Sequence, residues 1–163
     1  LVKSKLDVGT TFSVEIPFRS YSDSEKDTEE KTKKNKFSFK GKKILVADDD
    51  LLNQTIVRHF LTNEQADVII VKDGLEALLK IEQETFDVIL LDIYMPNLTG
   101  EELMQKVNAF KNFNADTPVL ALTANTTQED IKRYLTIGFT AVISKPFTKS
   151  DFLNTIQKVI LGD

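Results

Sequence analysis

Five short apolar runs, each followed by an amphipathic stretch of helical period, fill residues 42–162, and no other feature narrows the fold as much. The runs cover residues 43–47, 67–71, 87–91, 118–122 and 141–144. They are rich in β-branched residues and nearly free of polar interruptions, as expected for parallel strands covered on both faces. Between them Leu52/Ile56/Phe60, Leu75/Leu78/Leu79, Leu103/Val107/Phe110 and Ile131/Tyr134/Leu135 recur at helical spacing, and Phe152, Ile156 and Ile160 mark a fifth helix. Thr126-x-x-Glu129 has the form of a capping box, Thr148 that of an N-cap and Gly138 that of a helix stop. Five β–α units joined by right-handed crossovers predict an α/β fold with a doubly wound, five-stranded parallel sheet.

The rest of the chain differs in composition. Residues 1–18 read as a β-hairpin: Val2 to Leu6, a turn at Asp7-Val8-Gly9, then Phe12, Val14 and Ile16 alternating with Thr11, Ser13 and Glu15 up to Pro17. A lone hairpin is marginal in water, so these residues are expected to belong to a domain whose body lies elsewhere. Residues 19–41 read as a charged flexible linker, acids first (Asp23, Glu25, Asp27, Glu29, Glu30) and lysines after (Lys31, Lys33, Lys34, Lys36). The chain starts at Leu1, and a piece of a longer protein is expected.

Composition removes whole classes of function. With no cysteine there is no disulfide framework, thiolate metal site or cysteine nucleophile, and the single His59 excludes a two-histidine zinc site. His59 lies in Arg58-His59-Phe60, without a following acid, and reads as a surface or half-buried helix residue rather than a phosphohistidine. A net charge of −4 argues against nucleic-acid or membrane-surface binding.

In a doubly wound sheet, ligands bind beyond the carboxyl ends of the strands. The first run leads into Asp48-Asp49-Asp50, the third into Asp92, the fourth into Thr123 and the fifth into Lys145-Pro146. Clustered carboxylates repel one another unless a cation relieves them, and oxygen ligands at that charge density suit Mg²⁺. Lys145 offers a point charge for an anion and Thr123 a hydroxyl donor. Together these groups describe a phosphoryl site with a carboxylate nucleophile.

These residues carry a resemblance. Ile44-Leu45-Val46-Ala47-Asp48-Asp49-Asp50 with Asn53, the stretch Asp87-Val88-Ile89-Leu90-Leu91-Asp92-Ile93-Tyr94-Met95-Pro96, Leu98-Thr99-Gly100, Ala121-Leu122-Thr123-Ala124-Asn125 and Ser144-Lys145-Pro146-Phe147 are similar to the receiver domain of two-component response regulators, over residues 42–162. The resemblance implies a flavodoxin-like (βα)5 fold. It implies Asp92 as phosphoacceptor, Asp48, Asp49, Asp92 and the Tyr94 carbonyl around Mg²⁺, Lys145 as partner of the phosphoryl oxygen, and Thr123 as switch hydroxyl. Val142 departs from the pattern, which has Tyr or Phe three residues before the lysine, and this puts the aromatic part of the switch in question. Residues 7–17 resemble the last strands of a histidine-kinase ATP-binding domain, so the order of parts is that of a hybrid sensor histidine kinase.

The implied function is phosphorelay signalling: Asp92 takes a phosphoryl group from a phosphohistidine, then switches an interaction surface or passes the phosphate on. The implied partners are the histidine-containing dimerisation domain of its own kinase and a histidine phosphotransfer protein, with no nucleic acid and no direct membrane contact. The implied location is cytoplasmic, any membrane anchor being carried elsewhere in the parent. Residues 1–163 lack an ATP site, so the only chemistry expected is self-phosphorylation at Asp92. Two other readings compete. Asp48-x-Asp50, Thr123 and Lys145 imitate the order of motifs in haloacid-dehalogenase-type phosphohydrolases, but Leu51-Leu52 and the lack of an acidic pair after Lys145 do not fit. A pseudo-receiver that never carries phosphate is disfavoured by the complete set Asp49, Asp92, Thr123 and Lys145.

Overall fold

The computed structural model describes residues 1–15, 37–109, 114 and 116–162. The chain divides into two compact units, Leu1–Lys36 and Phe37–Asp163.

The first unit contains an antiparallel hairpin of β1 (Val2–Lys5) and β2 (Gly9–Phe12), with Val2 opposite Phe12 and Lys5 opposite Gly9. The second strand starts earlier than the alternation over residues 11–16 suggests. Positive φ at Asp7 (62°) and Gly9 (128°) closes a tight turn, and the turn sets the register. Ile16, Pro17 and the charged stretch between Ser22 and Lys36 lie outside the described residues.

The second unit begins at Phe37, ahead of the boundary at residue 42 that the charge pattern indicates. Phe39 is the reason. Its ring is buried and its N–H donates to the Glu64 carbonyl at 2.7 Å, so residues 37–41 are fastened to the domain rather than forming part of the tether.

This unit runs β3 (Lys43–Ala47), α1 (Leu51–Asn63), β4 (Asp67–Val71), α2 (Gly74–Gln83), β5 (Val88–Asp92), α3 (Gly100–Ala109), β6 (Val119–Thr123), α4 (Gln128–Ile137), β7 (Ala141–Ser144) and α5 (Lys149–Leu161). The strands form one parallel sheet in the order β4-β3-β5-β6-β7, the flavodoxin-like order. The third and fourth strands run one residue further than their apolar runs, so Asp92 and Thr123 are strand residues with strand-fixed backbones.

Two apolar clusters cover the two faces of the sheet. Leu103, Val107 and Tyr134 belong to one, and Val57, Leu61, Phe152 and Ile156 to the other. The inward faces of α1 and α2 differ in part from those expected: Leu52, Ile56, Leu75 and Leu79 are exposed, Val57, Leu61, Ala77 and Ile81 are buried, and Phe60 and Leu78 pack against the core as expected. In α4 Tyr134 is buried as expected and Leu135 is exposed. The N-caps decide this: Asp50, Asp73 and Thr127 fix where each helix starts, and hence which residues, at 3.6 per turn, point inward. The cap of α4 is Thr127, bonded to the Asp130 N–H, rather than Thr126; Thr148 and Gly138 cap as expected. Phe110 lies outside the described residues.

At the amino ends of the strands, charges are paired. Lys42 binds Asp87, and Lys43 and Lys80 both bind Glu84, each at 2.8 Å. Hydrogen bonds from Lys43 and then Lys80 hold Glu84 down to about 2. Buried Asn114 accepts from the Phe86 N–H and donates to the carbonyls of Ile81 and Glu84, holding the turn that leads into β5.

Two glycines bring the β5–α3 loop close to its neighbours. A Cβ on Gly100 would lie 2.4 Å from the Asp92 carbonyl oxygen, and one on Gly74 would lie 2.1 Å from that of Leu98. Both obstacles are backbone, which cannot rotate away. Gly100→Ala is therefore expected to lower the unfolding free energy by about 3 kcal/mol, the upper part of the usual overpacking range, as measured by urea denaturation.

Candidate functional site

The site is built by strand ends. Asp48 follows β3 directly, Asp92 and Thr123 close β5 and β6, and Lys145 follows β7. Parallel strands in matched register, with Ala47 beside Leu91, Leu91 beside Ala121 and Ala121 beside Val142, place these ends side by side.

Lys145 is the hub. Its Nζ donates to Asp48 Oδ2 at 2.7 Å and to Asp92 Oδ2 at 2.6 Å. Asp48 is fully buried, and its Oδ1 accepts from the Asp50 N–H (3.0 Å) and from Asn53 Nδ2 (3.3 Å). Gln54 Nε2 donates to the Asp48 carbonyl at 2.6 Å, so the whole residue is held. Asp92 is 7% exposed, and its Oδ1 accepts from the Tyr94 N–H at 3.1 Å. Asp49 is exposed, yet it offers a carboxylate oxygen that lies with one each from Asp48 and Asp92 inside a span of 4.8 Å.

Three carboxylates, two buried and one exposed, face a single ammonium. Burial, the largest influence, raises Asp92 above the ordinary carboxylate range, and the Lys145 hydrogen bond only partly offsets it. For Lys145, burial acts downward, but the hydrogen bonds and charges of Asp48 and Asp92 outweigh it and hold the ammonium above its usual value. Both directions describe a pocket that takes up positive charge readily.

The carboxylate oxygens suit a hard cation. Mg²⁺ takes oxygen ligands at about 2.0–2.1 Å, so opposite ligands stand roughly 4 Å apart, close to the observed span. The donor set is all oxygen, again as Mg²⁺ prefers.

Thr123 is fully buried. Its Oγ1 accepts from the Asn125 N–H at 3.1 Å, and its carbonyl accepts from the Lys145 N–H at 2.7 Å. It stands at the same end of the sheet as the carboxylates, with its hydroxyl engaged in its own loop. Tyr94 is 56% exposed and its hydroxyl accepts from Asn125 Nδ2 at 2.7 Å, linking the β5–α3 and β6–α4 loops. Val142 is half-buried against the α2–α4 side of the core. The Lys145–Pro146 peptide bond is cis. His59 lies on the exposed face of α1, bonded to Asn63.

Sequence reasoning did not single out Gln54, Asp73 or Asn97, which hold the loops from outside the carboxylate cluster. Asp73-Gly74 carries a legible cap signal after an apolar run, but Gln54 and Asn97 have partners set only by the fold.

Comparison with known proteins agrees with this geometry. Residues 44–157 match the family model for the response regulator receiver domain. The chain is 34% identical over 118 residues to the transcription factor SKN7 of Candida albicans, covering 72% of this chain and 21% of that protein. It is 30% identical over 150 residues to the autoinducer 2 sensor kinase/phosphatase LuxQ of Vibrio vulnificus, covering 92% of this chain and 17% of that one. The chain thus spans about a fifth of the length of the curated relatives it matches. Among solved structures, the receiver domain of sensor histidine kinase PA1611 from Pseudomonas aeruginosa, which has magnesium in its active-site cleft, matches at a TM-score of 0.68 with 31% identity, over 75% of this chain and 98% of that one.

Proposed function

This chain belongs to the response regulator receiver domain family and is a phosphorelay signalling domain, and on that premise we propose that Asp92 is its phosphoacceptor and that Asp48, Asp49, Thr123 and Lys145 complete the site. The observation that carries this reading is the position of Lys145, whose ammonium bonds Asp48 and Asp92 at once. That placement suits charge developing on a phosphoryl group beside Asp92.

The transfer balances simply. A carboxylate oxygen of Asp92 forms the new O–P bond as the P–N bond of a phosphohistidine breaks, and the electron pair returns to the imidazole nitrogen. Lys145 leaves its contact with Asp92 Oδ2 for a phosphoryl oxygen, and the Thr123 hydroxyl donates to another. Asp48, Asp49, Asp92 and the Tyr94 carbonyl would hold Mg²⁺, which would supply positive charge to neutralise the pocket during transfer. The magnesium-bearing cleft of the PA1611 receiver supports that assignment.

Exposed Leu51, Leu52 and Ile56 on α1 form an apolar strip beside Asp49. They suit a helical bundle that presents a phosphohistidine, either the dimerisation domain of its own kinase or a histidine phosphotransfer protein. The alignment with the LuxQ kinase covers 92% of the chain and so reaches beyond the receiver itself, which supports a hybrid-kinase parent with residues 1–18 as the end of its ATP-binding domain. Among the described residues no helix is long and apolar enough to cross a membrane. A place in the cytoplasm, with any membrane anchor carried elsewhere in the parent, is inferred from the likeness to the sensor kinase LuxQ and not from that absence.

The test is intact mass after incubation with a small acyl-phosphate donor. One added phosphoryl group in Mg²⁺, and none after chelation, is the expected result. No adduct in a folded chain that also fails to bind beryllofluoride would mean a pseudo-receiver.

A further inference from the structure

Asp73 stands at the carboxyl end of β4, beyond the carboxylate cluster, and is 8% exposed. Its Oδ1 accepts from the Glu76 N–H at 2.8 Å, which caps α2. Its Oδ2 accepts from Asn97 Nδ2 at 3.2 Å. Asn97 sits in the left-handed region, at φ 66°, near the apex of the loop between Asp92 and Gly100. Beside it the Leu98 carbonyl rests against Gly74, the residue after Asp73. The Gly100 N–H donates to the Ile93 carbonyl at 3.0 Å and ties the far end of the loop to its start. The loop is therefore clamped at its apex by α2 and at its base by α3.

That loop carries Tyr94, whose N–H bonds Asp92 Oδ1. A side-chain ligand can be aimed by its own rotamer, but a backbone carbonyl can be aimed only by the loop. We propose that Asp73 and Asn97 are positioning residues for the cation site: their hydrogen bond fixes the backbone around Tyr94 and so sets the Mg²⁺ affinity of the Asp48–Asp49–Asp92 cluster. The inference rests on the reading of Tyr94 as a Mg²⁺ ligand.

Asp73 has two jobs, and they separate by substitution. Asp73→Ser keeps an N-cap oxygen for Glu76 but is too short to reach Asn97. Asn97→Gly keeps a residue that adopts positive φ without strain but removes the amide. Asp73→Asn keeps the cap and can still pair with Asn97 once the Asn97 amide turns over.

The experiment is calorimetric titration of each folded variant with Mg²⁺ alone. Asp73→Ser and Asn97→Gly are each expected to weaken Mg²⁺ binding about ten-fold, the low end for groups that orient metal ligands. The double variant is expected to be no weaker than the weaker single, because both remove one bond. Asp73→Asn should return to within about three-fold of wild type, less than one hydrogen bond's worth. Unchanged affinity in Asn97→Gly overturns the proposal, and so does a double variant whose losses multiply. If Asp73→Ser does not fold, Asn97→Gly decides alone. A wild-type chain that takes up no Mg²⁺ would instead overturn the cation site itself.

Discussion

Asp92→Asn incubated with an acyl-phosphate donor and Mg²⁺ is expected to gain no phosphoryl group at all, where wild type gains one. Three carboxylates share the pocket, and geometry separates them. Asp48 is fully buried, with one oxygen on Lys145 and the other accepting two donors, so it has no open face for an incoming phosphorus. Asp49 is exposed and has access, but the Lys145 ammonium bonds Asp48 and Asp92 and not Asp49. Asp92 has both partial access and the ammonium at 2.6 Å. The amide of the variant keeps size and hydrogen bonding to the Tyr94 N–H, so its circular dichroism should match wild type. An adduct of undiminished yield on Asp92→Asn, mapped by peptide mass to Asp49, would refute the assignment.

Lys145→Met is the second large effect, and it concerns stability. Removing one partner of a buried ion pair strands the other charge, at a cost of about 3–5 kcal/mol. Here two carboxylates are stranded, one of them fully buried. The pH dependence follows from Asp92, which burial already raises. Without the ammonium its folded value rises further above the unfolded value of about 4. A group raised on folding contributes stability below its unfolded value, and that contribution is lost as pH rises through the folded one. The deficit of Lys145→Met against wild type is therefore expected to be large at pH 7 and smaller near pH 4, in paired urea denaturations. Comparison with wild type cancels acid losses common to both, such as that of Glu84, whose value is lowered and whose contribution fades as pH falls. Mg²⁺ should stabilise the variant more than wild type, since it returns positive charge to the pocket. A deficit that stays constant from pH 4 to pH 7 would mean that Lys145 acts by packing alone.

The sheet and its functional edge were legible because they depend on local signals. Parallel strands buried on both faces must be apolar along their length, and the five runs recover each strand of the parallel sheet to within a residue. Since such a sheet gathers its strand ends, the polar residues closing those runs, Asp48, Asp92, Thr123 and Lys145, could be placed together without knowing a single distance. Helix faces were harder. α1 and α2 carry more leucine than one face can hide, and the choice between Leu52/Ile56 and Val57/Leu61 falls to the cap at Asp50, which the apolar period does not register. Phe39 was harder for a similar reason: Phe37 and Phe39, flanked by lysines, make too short a stretch to show a period, and their packing depends on a cluster formed by distant parts of the chain. The Asp73–Asn97 contact spans 24 positions and joins two loops, so only the folded chain reveals it.

The anchoring of Phe39 fixes where the chain enters the domain. Residues 37–41 lead into β3 at its amino end, beside the Glu64 turn, whereas the carboxylates open at the opposite end of the sheet. Within this unit the entering strand and the carboxylates therefore lie at opposite ends of the sheet, so the anchored residues 37–41 and the site share no wall. A substitution at Phe39 is felt first at the Glu64 turn, a full strand length from Asp92.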